Sequence, residues 1–122
     1  NNQKEALLYY EIWFRENLAG VLQPHASNDV NITIGATEAH YFTGAQLKAG
    51  DTVAVRLVSD LASDVFKIQI VNGAGSGLSY LSTDGMLNVT HTISRDGQYY
   101  VYITGCNSDG RNIHIDGTFS LP

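Results

Sequence analysis

Hydrophobic and polar residues alternate along most of the chain after residue 28, in short runs. The run TVAVRLV places Val53, Val55 and Leu57 on one face, because neighbouring side chains of a strand point to opposite faces. Each such run therefore predicts a strand with one face directed to a core. The other runs with this period are VNITIG, VFKIQIV, LNVTHTI, QYYVYIT, NIHI and TFSL.

Asp-Gly and Asn-Gly pairs separate many of these runs, at positions 72–73, 84–85, 96–97, 109–110 and 116–117. Such pairs favour tight turns because both residue types tolerate a positive φ. With no helical pattern between them, the runs predict an all-β fold, an antiparallel β-sandwich of jelly-roll type. An open barrel is the alternative architecture.

The chain divides into an apolar N-terminal segment with its connector, residues 1–27, and a β-sandwich domain, residues 28–122. Residues 1–20 fit a helical wheel with charged and apolar sides, and Gly20 stands where a helix cap would be. Their period-two alternation also fits a strand. Good helix formers in KEALL and RENLA favour a short helix.

Either structure leaves too many large apolar side chains in this segment for it to remain solvated. We therefore expect a docking segment that packs on the domain or on another subunit, which makes a homo-oligomer one prediction. The predicted interface residues are Tyr9, Trp13 and Phe14.

Charge and composition narrow the function classes. The net charge is −5 and the 7 Lys and Arg residues are scattered, so we predict that neither nucleic acid nor an anionic membrane is a partner. No apolar run is long enough to span a membrane. The single Cys106 shows no sign of activation, and no catalytic motif is present, so we predict that the chain is not an enzyme. Abundant small polar residues and scarce Lys are typical of secreted β-proteins.

The segment QYYVYIT has two faces of different character. Tyr99, Val101 and Ile103 share one face, and Tyr100 and Tyr102 share the other. Rigid aromatic rings on a sheet suit stacking on sugars or packing against an extended peptide. Packing on cross-strand neighbours is the purely structural alternative. The predicted ligand-binding residues are Tyr100 and Tyr102, followed by Tyr41 and Tyr80.

Two acidic loops, SDLASD and NSDGRN, carry oxygen donors of the kind that calcium binds. Asp and Asn are also the ordinary residues of turns. We therefore expect no obligatory cofactor, with calcium as the metal that these loops suit. The predicted ligands are Asp60, Asp64, Asn107 and Asp109.

Several motifs follow one another in a recognisable order over about residues 30–121. They are Tyr41-Phe42, the turn Ala49-Gly50-Asp51, the strand from Phe66 to Ile70, Gly97-x-Tyr99-x-Val101-x-Ile103, and a last strand ending in Phe119 and Leu121. This order resembles the bacterial pre-peptidase C-terminal domain and the related collagen-binding domains of clostridial collagenases. The resemblance implies a small secreted β-sandwich appended to an extracellular protease. The acidic calcium-binding stretch of that family is reduced here to Asn28-Asp29.

Three functions are compatible with these observations. The first is a secreted, non-catalytic binding module that contacts an extracellular polysaccharide or fibrous protein through its aromatic sheet face. The second is a structural module that oligomerises through the N-terminal segment. The third is a small secreted toxin or inhibitor.

Overall fold

A computed structural model describes residues 15–36, 38–75 and 77–122, and these residues form nine strands in two packed sheets. The all-β sandwich predicted from the alternation is confirmed. None of the described residues lies in a helix with the length and hydrophobicity that a membrane crossing requires. The strands are β1 (Arg15–Val21), β2 (Ser27–Ile34), β3 (Glu38–Leu47), β4 (Thr52–Ser59), β5 (Phe66–Asn72), β6 (Gly77–Ser82), β7 (Met86–Thr92), β8 (Gly97–Gly105) and β9 (Ile113–Ser120).

One sheet has five strands in the order β1-β3-β8-β5-β6, and the other has four in the order β2-β9-β4-β7. Strand pairs are antiparallel except β1, which runs parallel to β3. Strand β8 lies at the centre of the five-stranded sheet, between β3 and β5. The tyrosines of β8 therefore lie in the middle of a sheet face rather than at its edge.

The core lies between the two sheets and is formed by the inward faces that the alternation predicted. Val53, Val55 and Leu57 of β4 are all buried there. The rings of Phe42 and Phe119 meet edge to face across the core, with centroids 5.2 Å apart. The remaining large, fully buried side chains are Leu22, Ile34, Phe66, Ile68, Ile70, Ile93, Ile103, Ile113 and Ile115.

The helix predicted for residues 1–20 is wrong for its last part, since residues 15–20 belong to β1. Helix propensities differ by only a few tenths of a kcal/mol per residue among ordinary side chains, and hydrogen bonds to the free edge of β3 outweigh them. We expected this segment to pack on the domain, and its described part does so, because β1 pairs with β3. Residues 1–14, with the predicted interface residues Tyr9, Trp13 and Phe14, lie outside the described residues, and the boundary at residue 27 stays a prediction.

The pairing of β1 with β3 contains an irregularity. The register shifts between Leu18 and Gly20, so that Leu18 pairs with Tyr41 and Gly20 with Phe42. A Cβ atom at residue 20 would lie 3.3 Å from the ring of Phe42, which explains a glycine at this point. The bulge keeps Leu18 on the outer face of the sheet while Leu22 enters the core.

The turn predicted at Asp116-Gly117 is wrong, because both residues lie inside the continuous strand β9. Gly117 has φ 151° and packs so closely on β4 that a Cβ atom would clash with the carbonyl oxygen of Arg56. Glycine here permits a close approach of two strands rather than a chain reversal. By contrast, Gly85 and Gly110 have positive φ in loops, as the turn prediction required.

Candidate functional site

A row of large side chains crosses the outer face of the five-stranded sheet. Leu18 of β1 pairs with Tyr41 of β3, Tyr41 with Tyr102 of β8, and Tyr102 with Gln69 of β5. Paired residues project from the same face of a sheet, so these side chains stand side by side. Here we call Leu18, Tyr41, Tyr102 and the adjacent Tyr100 the tyrosine row.

The rings of Tyr41 and Tyr102 stack, with centroids 5.3 Å apart and planes inclined by 22°. Both tyrosines are half-buried, and Leu18 beside them is 59% exposed. Tyr100 occupies the next outward position of β8 and pairs with Val71. The structure thus brings three of the four predicted ligand-binding residues, Tyr41, Tyr100 and Tyr102, to one face.

The polar groups beside the tyrosine row come from β5. Gln69 continues the row, and Lys67 lies one outward position away and pairs with Thr104. Both side chains are half-buried, so they offer hydrogen-bond donors at the margin of an apolar surface. Sequence reasoning missed these two residues, although their alternation with Phe66, Ile68 and Ile70 already placed them on an outer face.

Tyr80 does not lie with the other predicted tyrosines. It pairs with the buried Ile68 and so faces inward from β6, where its hydroxyl is 2.9 Å from Nδ1 of His91. The two rings meet edge to face at 5.9 Å. Burial lowers the pKa of His91, so that the imidazole is neutral at pH 7.

In the acidic loops predicted to bind calcium, the carboxylates of Asp64 and Asp109 are paired with the guanidinium group of Arg111. Nη1 of Arg111 is 3.3 Å from Asp64 Oδ1, and its Nε donates to Asp109 Oδ2 at 2.6 Å. The hydrogen bond from Arg111 is the main cause of a lowered pKa at Asp109. Asn107 is buried, and its amide donates to Asp64 and accepts from the backbone NH of Val65. These contacts give a structural role to three of the four predicted ligands, and calcium there stays a prediction.

Asp60, the fourth predicted ligand, lies in a different cluster on the four-stranded sheet. Its Oδ1 is 3.1 Å from Nδ1 of His114, and Oδ2 of Asp116 is 3.5 Å from the same nitrogen. Nε2 of His114 is 2.8 Å from Oδ1 of Asn31. The hydrogen bond with Asp60, and then the charges of Asp116 and Asp60, raise the pKa of His114.

This cluster is the group of side chains best placed to hold a divalent cation within the described part of the chain. One donor atom from each of Asp60, His114 and Asp116 lies within 4.8 Å of the others. When protonated, His114 donates a hydrogen bond from Nδ1 to Asp60 and forms an ion pair with Asp116, so a metal bound at Nδ1 would have to displace that proton. The signal in the sequence was His114 and Asp116 two positions apart on a strand, which places both on one face.

Cys106 lies just after β8 and is half-buried. Burial raises the pKa of its thiol, with a smaller opposing effect from Lys67. At neutral pH the thiol is therefore protonated, and it donates a hydrogen bond to the carbonyl oxygen of Thr104 at 3.6 Å. A protonated thiol is a poor nucleophile.

No protein-family model matches the chain, and no curated protein sequence matches it. Solved structures do match its fold. A periplasmic inhibitor of g-type lysozyme, PliG from Aeromonas hydrophila, is 12% identical with a TM-score of 0.68, covering 89% of this chain and 99% of its own. CorA, a surface-associated copper-binding protein of Methylomicrobium album BG8, is 11% identical with a TM-score of 0.58, covering 88% and 100%.

The pre-peptidase C-terminal domain of collagenase from Bacillus anthracis also matches, at 9% identity and a TM-score of 0.52, covering 88% of this chain and 95% of that one. The resemblance drawn from the strand motifs is thereby confirmed for the fold. At this level of identity the likeness concerns the architecture alone, which supports many unrelated functions.

Proposed function

We propose that this chain is a secreted, non-catalytic β-sandwich module that binds an extracellular polymer through the outer face of its five-stranded sheet. The observation that carries the proposal is the stacked pair Tyr41 and Tyr102, flanked by Tyr100 and the exposed Leu18. Proteins of similar fold act in the periplasm, at the cell surface or as part of a collagenase, which supports a location outside the cytoplasm.

The tyrosine row suits an extended ligand. Neighbouring strands are about 4.8 Å apart, so the row from β1 to β8 spans about 10 Å, comparable to two linked sugar rings or a short stretch of extended peptide. The stacking of Tyr41 on Tyr102 restricts both rings before binding, so less conformational entropy is lost when the ligand is bound. An aromatic contact contributes about 0.5–1.5 kcal/mol beyond the buried area, and several such contacts along one polymer add up.

Polar groups at the margin would set the orientation of the ligand. The amide of Gln69 and the ammonium of Lys67 lie beside the row on β5, within the reach of hydroxyl or carbonyl groups of a bound chain. The proposal therefore assigns stacking and apolar contact to the tyrosines and hydrogen bonding to Gln69 and Lys67.

A binding screen with matched variants tests this function. The full chain is incubated with insoluble cellulose, chitin, xylan, peptidoglycan and fibrillar collagen, and the bound fraction is measured after sedimentation. The test variant is Tyr41→Ala with Tyr100→Ala. The control is Val58→Ala with Met86→Ala, two exposed residues that pair on the outer face of the four-stranded sheet.

We expect at least one polymer to retain the wild-type chain and the control variant. The tyrosine variant should bind roughly tenfold more weakly, for a loss of about 1.4 kcal/mol. Circular dichroism of each variant establishes that its fold is intact. Equal retention of the tyrosine variant, or no retention of the wild type by any polymer, contradicts the proposal.

Inhibition of a cell-wall hydrolase is the second candidate function. The observation that favours it is the match to PliG over 99% of that inhibitor's length with a TM-score of 0.68. The purified chain is titrated into a g-type lysozyme that is clearing a suspension of bacterial cells. Inhibition at a near-stoichiometric ratio would support this candidate, and an unchanged clearing rate at large excess of the chain would exclude it.

A further inference from the structure

A cavity of about 190 Å³ opens between the two sheets, away from the tyrosine row. It lies where β6, an edge strand of the five-stranded sheet, passes β7, an edge strand of the four-stranded sheet. Its apolar walls come from β5, β6 and β8, and its polar groups come from Asn72 at the end of β5, from β7 and from the loop after β7. The residues used below are Ile70, Leu78, Tyr99, His91, Thr92 and Ser94.

Among the polar side chains that line this cavity, His91 supplies a buried imidazole with one ring nitrogen outside its hydrogen bond to Tyr80. Its side chain is 6% exposed, and Nδ1 is engaged by the hydroxyl of Tyr80 at 2.9 Å. Among the described residues no other hydrogen bond involves this ring, and no fully buried side-chain nitrogen or oxygen lacks a partner. Nε2 is therefore not fully buried, and His91 is one of the residues that line the cavity.

The chemistry of the walls restricts what the cavity can bind. Ile70, Leu78 and Tyr99 offer apolar surface, and the hydroxyls of Thr92 and Ser94 are uncharged. No Asp, Glu, Lys or Arg is among its lining residues, and burial keeps the imidazole of His91 neutral. A charged ligand would be desolvated here without a counter-charge, which is unfavourable.

The volume sets the size of the ligand. A cavity of about 150 Å³ lined by apolar side chains binds benzene, so this one accommodates a single six-membered ring with one or two substituents. A hydroxyl group complements Nε2 in either tautomer of the imidazole, because a hydroxyl both donates and accepts a hydrogen bond.

We propose that this cavity binds a small uncharged cyclic molecule with one hydroxyl group, of the phenol or cyclic alcohol class, through a hydrogen bond to Nε2 of His91. The proposal does not depend on the tyrosine row, since the ring would enter between the sheets and not on their outer face.

Nuclear magnetic resonance of the full chain tests the proposal with three probes. The probes are p-cresol, toluene, which lacks the hydroxyl, and 4-methylbenzoate, which carries a charge. We expect p-cresol to shift the imidazole nitrogen signals of His91 and the methyl signals of Ile70 and Leu78 in a saturable manner. Toluene should bind roughly tenfold more weakly because it leaves Nε2 without a partner, and 4-methylbenzoate should produce no saturable shift.

Variants on one strand provide the control. Leu78 is 56% exposed and lines the cavity, whereas Leu81 is 59% exposed and projects from the other face of β6. Leu78→Trp should fill the cavity and abolish the p-cresol shifts, and Leu81→Trp should preserve them. Absence of saturable shifts at His91, equal affinity for toluene and p-cresol, or full binding by Leu78→Trp would each overturn the proposal.

Discussion

The two outer faces of this sandwich differ, although the inner faces beneath them follow the same alternation. The five-stranded sheet presents half-buried tyrosines and exposed leucines. The four-stranded sheet presents short polar and charged side chains that satisfy each other, such as His114 between Asp60 and Asp116. Recognition of a partner is favoured on the five-stranded face because it presents aromatic and apolar surface, and the alternation of residues alone does not distinguish the two faces.

The four-stranded face has one apolar exception, which serves as an internal comparison. Val58 and Met86 pair across β4 and β7 and line an open groove of about 270 Å³ with Arg56, Asn88 and Asp116. Nη1 of Arg56 already donates to the carbonyl oxygens of Val55 and Val89. Variants in this groove therefore test whether any exposed apolar group suffices for binding, or whether the aromatic row is required.

The largest effect on the free energy of unfolding is expected from a substitution in the core between the two sheets. Phe119→Ala removes the ring that meets Phe42 at 5.2 Å, and we expect it to lower the free energy of unfolding by about 3–5 kcal/mol. Thr118→Ala, at the neighbouring outward position of β9, should change it by less than about 0.5 kcal/mol. Urea unfolding monitored by circular dichroism measures both. Similar values for the two variants would contradict the assignment of inner and outer faces.

Removal of β1 should cause the next largest loss of stability. The chain 28–122 lacks Leu22, which is 2% exposed, and leaves the edge of β3 without a partner. We expect a loss of about 2–3 kcal/mol from the lost apolar burial, and self-association through the exposed edge. Light scattering and urea unfolding detect the two effects.

The full-length variant Leu22→Ala is the matched control for this truncation, because it reduces the core and keeps the edge covered. It should be destabilised and remain in the oligomeric state of the wild type. A truncated chain with the oligomeric state and the stability of the wild type would show that β1 is dispensable to the sandwich.

The interaction energy between the stacked rings of Tyr41 and Tyr102 is expected to be smaller than these losses of stability. A double-mutant cycle with Tyr41→Leu and Tyr102→Leu should give an interaction energy of about 0.5–1.5 kcal/mol, because each single variant already removes the stacking. Tyr41→Leu combined with Leu81→Ala, on strands separated by β8 and β5, should be additive within about 0.5 kcal/mol. Equal coupling in both cycles would mean that the rings do not act as a stacked pair.

Two histidines are expected to give pH dependences of opposite sign. The raised pKa of His114 means that its contribution is fully present below the ordinary value of 6.5 and is lost as the pH rises through its higher folded value. The lowered pKa of His91 means that its neutral form contributes above 6.5, and this contribution is lost as the pH falls through its lower folded value.

Thermal unfolding between pH 5 and 8 measures these contributions with the variants His114→Gln and His91→Gln. The difference between wild type and His114→Gln should shrink as the pH rises. The difference between wild type and His91→Gln should shrink as the pH falls. The same trend for both variants would contradict the contrast between a half-buried, ion-paired histidine and a buried, neutral one.

The inner faces were predictable because a strand's burial pattern is local in sequence. Val53, Val55 and Leu57 reveal their common face within five residues, and the same holds for Tyr99, Val101 and Ile103. The same local signal placed Tyr99 and Tyr100 on opposite faces of the strand, and so it located part of the tyrosine row. The local signal does not show which strands are neighbours in a sheet. The stacking of Tyr41 on Tyr102 was therefore not predictable from it.

The features that were not predictable depend on contacts between distant residues. Asp60 and His114 meet only because the loop after β4 passes β9, and a helix-forming sequence became β1 only because β3 had a free edge. The contact of Tyr80 with His91 was not predictable either, because the run LSYLS is too short to show which of its side chains face inward. Gly117 resembled a turn residue because the carbonyl group of Arg56 that requires a glycine comes from another strand.

The order in which the chain visits the two sheets has a consequence for folding kinetics. Apart from β5 and β6, successive strands belong to opposite sheets. Neither sheet can be completed while the other is absent, so the nucleus must contain long-range pairings whose loop-closure entropy is lost early. We therefore expect a single cooperative transition with folding on the millisecond to second scale, and no stable half of the molecule. A protease that cuts one loop would leave the fragments interleaved across both sheets and held in place.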